Sequence, residues 1–182
     1  MWNTAYLSLG SNIEPEANLY AAVVMLAQFT RLVAVSSVWE TQPVGLLNQP
    51  DFLNAAAIVQ TRLTAAQLKQ QVLSHIEQKL GRTRQGDKNG PRTIDLDIML
   101  FNNQILTIGQ RHIPDVEVLE RAFVAISLAE IAPDYVHPKT GQTLRQIADS
   151  FAITQQEMRI SPEISQVLKQ FLQQLQVDAQ RH

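Results

Sequence analysis

Thr93-Ile94-Asp95-Leu96-Asp97-Ile98-Met99-Leu100-Phe101 alternates two kinds of residue. Ile94, Leu96, Ile98 and Leu100 fall on one set of positions, and Asp95, Asp97, Met99 and Phe101 on the other. A period of two marks a strand with one face against a core. Aspartates two positions apart leave the same face of such a strand, with Cα atoms about 6.6 Å apart. That spacing suits one or two Mg²⁺ ions, because magnesium takes hard oxygen ligands and commonly joins one or two carboxylates to substrate phosphates. A lone Asp-x-Asp is more often a solvated strand face. Here Arg82, Arg84 and Arg92 bracket the pair. Planar, permanently charged guanidinium forks are the groups that hold phosphate.

Working outward, the rest of the chain supplies a sheet for this strand to join. Residues 4–9 alternate and stop at Gly10-Ser11-Asn12, which reads as a first strand ending in a turn. Leu19, Ala22, Val23, Leu26 and Ala27 recur at helical spacing, and residues 32–40 read as a second strand. Pro43, Gly45, Asn48 and Pro50 make residues 41–50 a loop. In the next strand Leu53, Ala55, Ala57 and Val59 face one way, while Phe52, Asn54, Ala56 and Ile58 face the other. Thr64 and Gln67 form a capping box for a helix carrying Leu68, Val72, Ile76 and Leu80 and ending at Gly81. A second loop, 82–92, precedes the aspartate strand.

The order is therefore β-α-β-β-α-β, which predicts an α+β, ferredoxin-like core with both helices on one face of an antiparallel sheet and the other face available for chemistry. Helices are predicted over 116–131 and 144–151, and a last one starts at Ser161-Pro162. Residues 1–160 are expected to form the functional domain. Residues 161–182 are expected to be a helical extension packed on it through Ile164, Leu168, Phe171, Leu172 and Leu175.

The chain has 182 residues, 45% of them apolar, enough for one domain. With no cysteine, thiolate catalysis, Cys-type zinc sites and disulfides are excluded. No basic, apolar leader and no run of roughly 18 apolar residues occurs, so a cytoplasmic protein without membrane contact is expected. A formal charge of -2 argues against a nucleic-acid backbone as partner. His75, His112, His137 and His182 lack metal-ligand spacing. A monomer or weak homodimer is expected.

Over residues 4–150 the chain resembles the 6-hydroxymethyl-7,8-dihydropterin pyrophosphokinase family. The resemblance is carried by Leu9-Gly10-Ser11-Asn12, Ser36-Ser37, Thr41-x-Pro43 and Asp51-Phe52-Leu53-Asn54-Ala55-Ala56. It continues through Glu77, Gly81-Arg82-Thr83-Arg84, Gly90-Pro91-Arg92-Thr93-Ile94-Asp95-Leu96-Asp97-Ile98-Met99-Leu100 and Glu120-Arg121-Ala122-Phe123-Val124.

The resemblance implies transfer of diphosphate from ATP to the hydroxymethyl group of a reduced pterin in folate synthesis, with release of AMP. It implies two Mg²⁺ ions on Asp95 and Asp97, with Arg82, Arg84, Arg92 and Arg121 facing phosphates and Glu77 and Ile98 bordering the nucleotide. Arg82 and Arg92 join the aspartates as the catalytic set. Phe52 and Phe123 are expected to sandwich the pterin, whose edge is read by Asn54 and by the chain at Thr41, Pro43 and Val44. The sequence departs from the family pattern at Asp115, where histidine is usual, and at Asn89, where some members carry tryptophan. Asp115 places a negative charge beside the expected nucleotide unless Arg111 or Arg121 pairs with it. Two other readings stay open: the same transfer to a different acceptor, and a binding module without catalysis.

Overall fold

In the computed structural model the chain runs β1 (Asn3–Ser11), α1 (Pro15–Phe29), β2 (Arg31–Val35), β3 (Trp39–Thr41), β4 (Phe52–Thr61), α2 (Ala65–Gln67), a π-helical turn (Leu68–Leu73), α3 (Ser74–Lys79) and β5 (Asp95–Phe101). A hairpin of β6 (Leu106–Ile108) and β7 (Arg111–Ile113) follows, then α4 (Glu117–Glu120), α5 (Ala122–Ile131), α6 (Leu144–Asp149), β8 (Met158–Ile160) and α7 (Pro162–Gln180). All residues are described except 44, 46–47, 83–89, 153–157 and 182.

The main sheet has the order β5-β1-β4-β3-β8, with β2 also on β4, and every pairing is antiparallel. This is the ferredoxin-like arrangement expected from the element order. Ala5, Leu7 and Leu9 of β1 and Leu53, Ala55, Ala57 and Val59 of β4 pack in one core with Leu19, Val23 and Leu26 of α1 and Leu68, Val72 and Ile76 of the second helical stretch. Ile164 and Leu168 of α7 join the same core.

The opposite face is only partly bare. Ala56, Met99 and Leu100 lie in a second apolar cluster with Val124, Ala125 and Leu128 of α5 and Leu144 and Ile147 of α6. One end of this face, near Gly10, Asn54 and Asp95, stays open.

Three local departures from simple periodicity shape that open end. In β5 the register against β1 shifts, so that Tyr6 lies opposite Leu100 and Leu7 opposite Ile98. Met99 is the extra residue of a bulge, which reverses the alternation beyond it. Leu100 therefore joins the second cluster and Phe101 the first, opposite to the faces that strict alternation assigns them. The helix expected over 116–131 is broken at Arg121, whose backbone is extended between α4 and α5.

The single strand expected over 32–40 is two strands, β2 and β3, split at residues 36–38. Backbone groups at this split are satisfied locally, as buried amides must be. Ser36 exchanges bonds with Ala56 through its N–H and its hydroxyl oxygen, the Ser37 N–H donates to the Glu130 carboxylate, and the Val38 N–H donates to Ser165 Oγ at 2.8 Å. Helices α5 and α7 are thereby tied to the sheet. Ser165→Ala strands the Val38 amide and is expected to lower the unfolding free energy by about 1–3 kcal/mol in denaturant titrations; an unchanged value would contradict this tie.

Candidate active site

The cleft at the open end is floored by three neighbouring strands in register. Gly10 of β1 lies opposite Asn54 of β4 on one side and Asp95 of β5 on the other. One row along, Ser8 lies between Ala56 and Asp97. The middle strand thus presents only small residues, with an amide on one wall and two carboxylates on the other. A Cβ on Gly10 would stand 3.0 Å from Asn54 Oδ1, a tight contact that would push the Asn54 amide by a few tenths of an ångström, so glycine suits the close approach here.

Phe52, Asn54, Thr41 and Gln42 line the cleft on the β3–β4 side, and Arg82, Arg92, Asp95 and Asp97 on the β5 side. Arg111, Glu117, Arg121 and Phe123 complete it, around a cavity of about 220 Å³. The Asn54 amide donates to Thr41 Oγ1 at 2.8 Å, which fixes its orientation. The Arg92 guanidinium lies 5.6 Å from the centroid of the Phe52 ring, a cation–π contact linking the two walls. The break at Arg121 lets both Arg121 and Phe123 reach a cleft that a continuous helix would serve less well.

The carboxylate wall is held by cations. Asp95 pairs through Oδ1 with Arg82 and through Oδ2 with Arg92. Burial alone would raise the Asp95 pKa, but the Arg82 and Arg92 charges, aided by the Arg92 hydrogen bond, hold it below the ordinary carboxylate range. Asp97 Oδ1 accepts from Lys69 at 3.1 Å and lies 2.7 Å from Arg111. Glu77, 2% exposed, binds Arg82 and accepts from the Leu96 N–H at 2.9 Å. Asp115 lies 3.8 Å from Arg111, so Arg111 spans both Asp97 and Asp115 and offsets the charge that Asp115 introduces. The Asp115 Oδ1 also accepts from the Glu117 N–H at 3.0 Å.

The turn expected at Gly10-Ser11-Asn12 starts later than the sequence suggests, since Gly10 and Ser11 still pair with β4 as the end of β1. Asn12 accepts from the Arg92 N–H at 2.8 Å and donates to the Pro50 carbonyl, while Ser11 donates to the Thr93 carbonyl. The end of β1 therefore anchors the ends of both flanking loops.

Of the residues singled out from sequence, Thr41, Phe52, Asn54, Arg82, Arg92, Asp95, Asp97, Arg121 and Phe123 converge on the cleft. Glu77 stands behind it, bonded to Arg82 and bordering a separate groove with Ser74 and Gln78. Pro43 is buried and does not line the cleft, and the Ile98 side chain belongs to the helix-side core, so only its backbone is available to a ligand. Val44, Arg84 and Asn89 lie outside the described residues. Lys69, Arg111 and Glu117 were not picked out as site residues, because long-range pairing brings them in and no local pattern marks them. Arg111 entered the sequence reading only as a partner for Asp115.

A divalent ion fits this donor set on chemical grounds. Among the described residues no three His, Cys, Asp or Glu side chains are grouped to hold a metal ion by themselves. Two carboxylates beside a row of guanidinium groups suit magnesium shared with phosphate.

Fold and site together fit a class: small α+β enzymes with an open sheet end suited to a phosphorylated ligand beside a flat, hydrogen-bonding one. Comparison with known proteins narrows it. The sequence model of 7,8-dihydro-6-hydroxymethylpterin-pyrophosphokinase matches residues 6–133, and the chain belongs to this family. The 2-amino-4-hydroxy-6-hydroxymethyldihydropteridine pyrophosphokinase of Haemophilus influenzae is 39% identical over 152 residues, covering 82% of this chain and 93% of that protein. Its Bacillus subtilis counterpart is 44% identical over 134 residues, covering 72% and 79%. The fold also matches crystalline wild-type Plasmodium falciparum HPPK-DHPS with pteroate, with TM-score 0.64 and 16% identity over 82% of this chain and 42% of that one. Pyrophosphokinase action on hydroxymethyldihydropterin, a step of folate biosynthesis, is the activity of this family.

Glu117 gives the site a measurable pH signature. Burial raises its pKa, the Asp115 and Asp97 charges raise it further, and Arg121 and Arg111 oppose them. A carboxyl with a folded pKa above its unfolded one costs nothing below the unfolded value and costs stability once pH has risen through the folded value. Glu117→Gln is therefore expected to raise unfolding free energy at pH 7 and leave it nearly unchanged at pH 4. Equal effects at both values would contradict the assigned environment.

Proposed function

We propose that residues 1–160, with residues 161–182 as a helical extension packed on them, carry out diphosphate transfer from ATP to the hydroxymethyl oxygen of 6-hydroxymethyl-7,8-dihydropterin in the cytoplasm. The observation that carries this is the row Asn54, Gly10, Asp95. There an amide with the donors and acceptors to pair a pterin edge faces, across a glycine floor, a carboxylate suited to a cation.

In this reading the pterin ring lies between Phe52 and Phe123, because a flat heterocycle gains from aromatic faces on both sides. Asn54, oriented by Thr41, pairs with its donors and acceptors, helped by the chain at Pro43 and Val44. Asp95 and Asp97 would hold two Mg²⁺ ions, which would supply neutralisation of the polyphosphate charge. Arg82, Arg84, Arg92 and Arg121 take the phosphates, while Glu77 and the Ile98 backbone border the nucleotide. The pterin hydroxyl attacks the β-phosphorus, the bond to the α-phosphate oxygen breaks, and AMP leaves. The hydroxyl proton passes to water or an aspartate. Alignment and charge stabilisation are what such a transfer asks of a protein, and no covalent intermediate is required.

Incubation with ATP, Mg²⁺ and hydroxymethyldihydropterin is expected to release AMP in proportion to the pterin consumed. AMP release independent of pterin, or none, would refute the proposal. Asp97→Ala and Arg92→Ala are expected to lower kcat by about 10²-fold or more. Asn54→Ala is expected to raise KM for the pterin with a smaller change for ATP. Full activity in Asp97→Ala would overturn the metal assignment.

A further inference from the structure

Lys69 lies inside the π-helical turn Leu68–Leu73, where the Ser74 N–H reaches back to the Lys69 carbonyl. Turns of this kind inside α-helices recur at functional sites. Its side chain is only 22% exposed and its ammonium meets three oxygens: the Leu96 carbonyl at 2.5 Å, Asp97 Oδ1 at 3.1 Å and Glu77 Oε1 at 3.4 Å. An ammonium has three donors, so the group is saturated. Ordering a long lysine chain this fully costs conformational entropy, which a merely solvated lysine avoids.

The contacts also fall at one place on the sheet. β5 is an edge strand, and at Leu96 its N–H is taken by Glu77 while its carbonyl is taken by Lys69. The pair stands in for a neighbouring strand and covers the exposed edge beside both aspartates. Lys69 and Arg111 bond the same oxygen of Asp97, and among the described residues no cation bonds the other.

We propose that Lys69 is a positioning residue of the transfer site: a resident positive charge that holds Asp97 by Oδ1, leaves Oδ2 for an incoming ion, and adds to the attraction for the nucleotide's phosphates. The role rests on the diphosphate transfer proposed above. It has two consequences of opposite sign. Lys69 repels a divalent ion entering the bare site, and it attracts a polyphosphate once the ions are in place. A lysine that served only to hold the fold together would affect both kinds of binding in one direction.

The test uses Lys69→Met and Lys69→Gln, the second keeping a donor for the Leu96 carbonyl should the first fold poorly, with Lys69→Arg as the charge-retaining control. Calorimetric titration with Mg²⁺ alone is expected to show Kd falling about tenfold in the two uncharged variants. Titration with a nonhydrolysable ATP analogue at saturating Mg²⁺ is expected to show Kd rising about tenfold. Lys69→Arg is expected to stay within about threefold of the wild type on both. Unchanged constants, or constants that weaken together, would overturn the role of Lys69 while leaving the transfer function intact. A wild-type protein that binds neither ion nor analogue would overturn both.

Discussion

Compensation of the two aspartates on β5 is the constraint around which the rest is arranged. A partly buried carboxylate without a partner is costly, and Asp95 and Asp97 stand two residues apart on one wall. The chain answers with Lys69 from the π turn, Arg82 from the end of the second helical stretch, Arg92 from the loop before β5, and Arg111 from the β6–β7 hairpin. Four separate elements therefore point at one strand. With Glu77, Asp115 and Glu117 added on the acidic side and Arg121 on the basic side, the described charges of the site come close to balance. Two divalent ions with a nucleotide bearing about four negative charges would leave that balance unchanged, whereas either alone would shift it.

Glycine is the second requirement, and it links the charged wall to the recognition wall. Gly10 is flanked by Asn54 and Asp95, and a side chain there would crowd the Asn54 amide. The same segment continues into Ser11 and Asn12, whose bonds to Thr93, Arg92 and Pro50 fix the ends of the two long loops. Floor, walls and loop anchors are thus set by three consecutive residues, Gly10-Ser11-Asn12.

Much of this was legible in sequence because it depends on short-range periodicity. Alternation placed Asp95 with Asp97, and Asn54 with Phe52, on the faces they occupy; helical spacing and the Thr64 to Gln67 box found the second helical stretch. What escaped depends on long-range competition. The bulge at Met99 follows from pairing with β1, and nothing in the alternation of 93–101 announces it. The break at Arg121 is absent from an apolar pattern that runs through it. Lys69 sits in a helix where an isolated lysine reads as a solvated residue, and only the fold brings it to Asp97. The hairpin of β6 and β7 and the short strand β8 have too few residues for a periodic signal.

Diphosphate transfer at this site requires Asp95 to exchange partners: guanidinium groups hold it in the free protein and a divalent ion would hold it in the working complex, while Lys69 keeps Asp97 by Oδ1. A crystal structure with Mg²⁺, hydroxymethyldihydropterin and a nonhydrolysable ATP analogue tests this directly. It should show ions about 2.1 Å from oxygens of both Asp95 and Asp97, with Arg82 and Arg92 turned from Asp95 onto the phosphates. Nucleotide bound elsewhere, or Asp95 still gripped by both arginines with no ion beside it, would contradict the account.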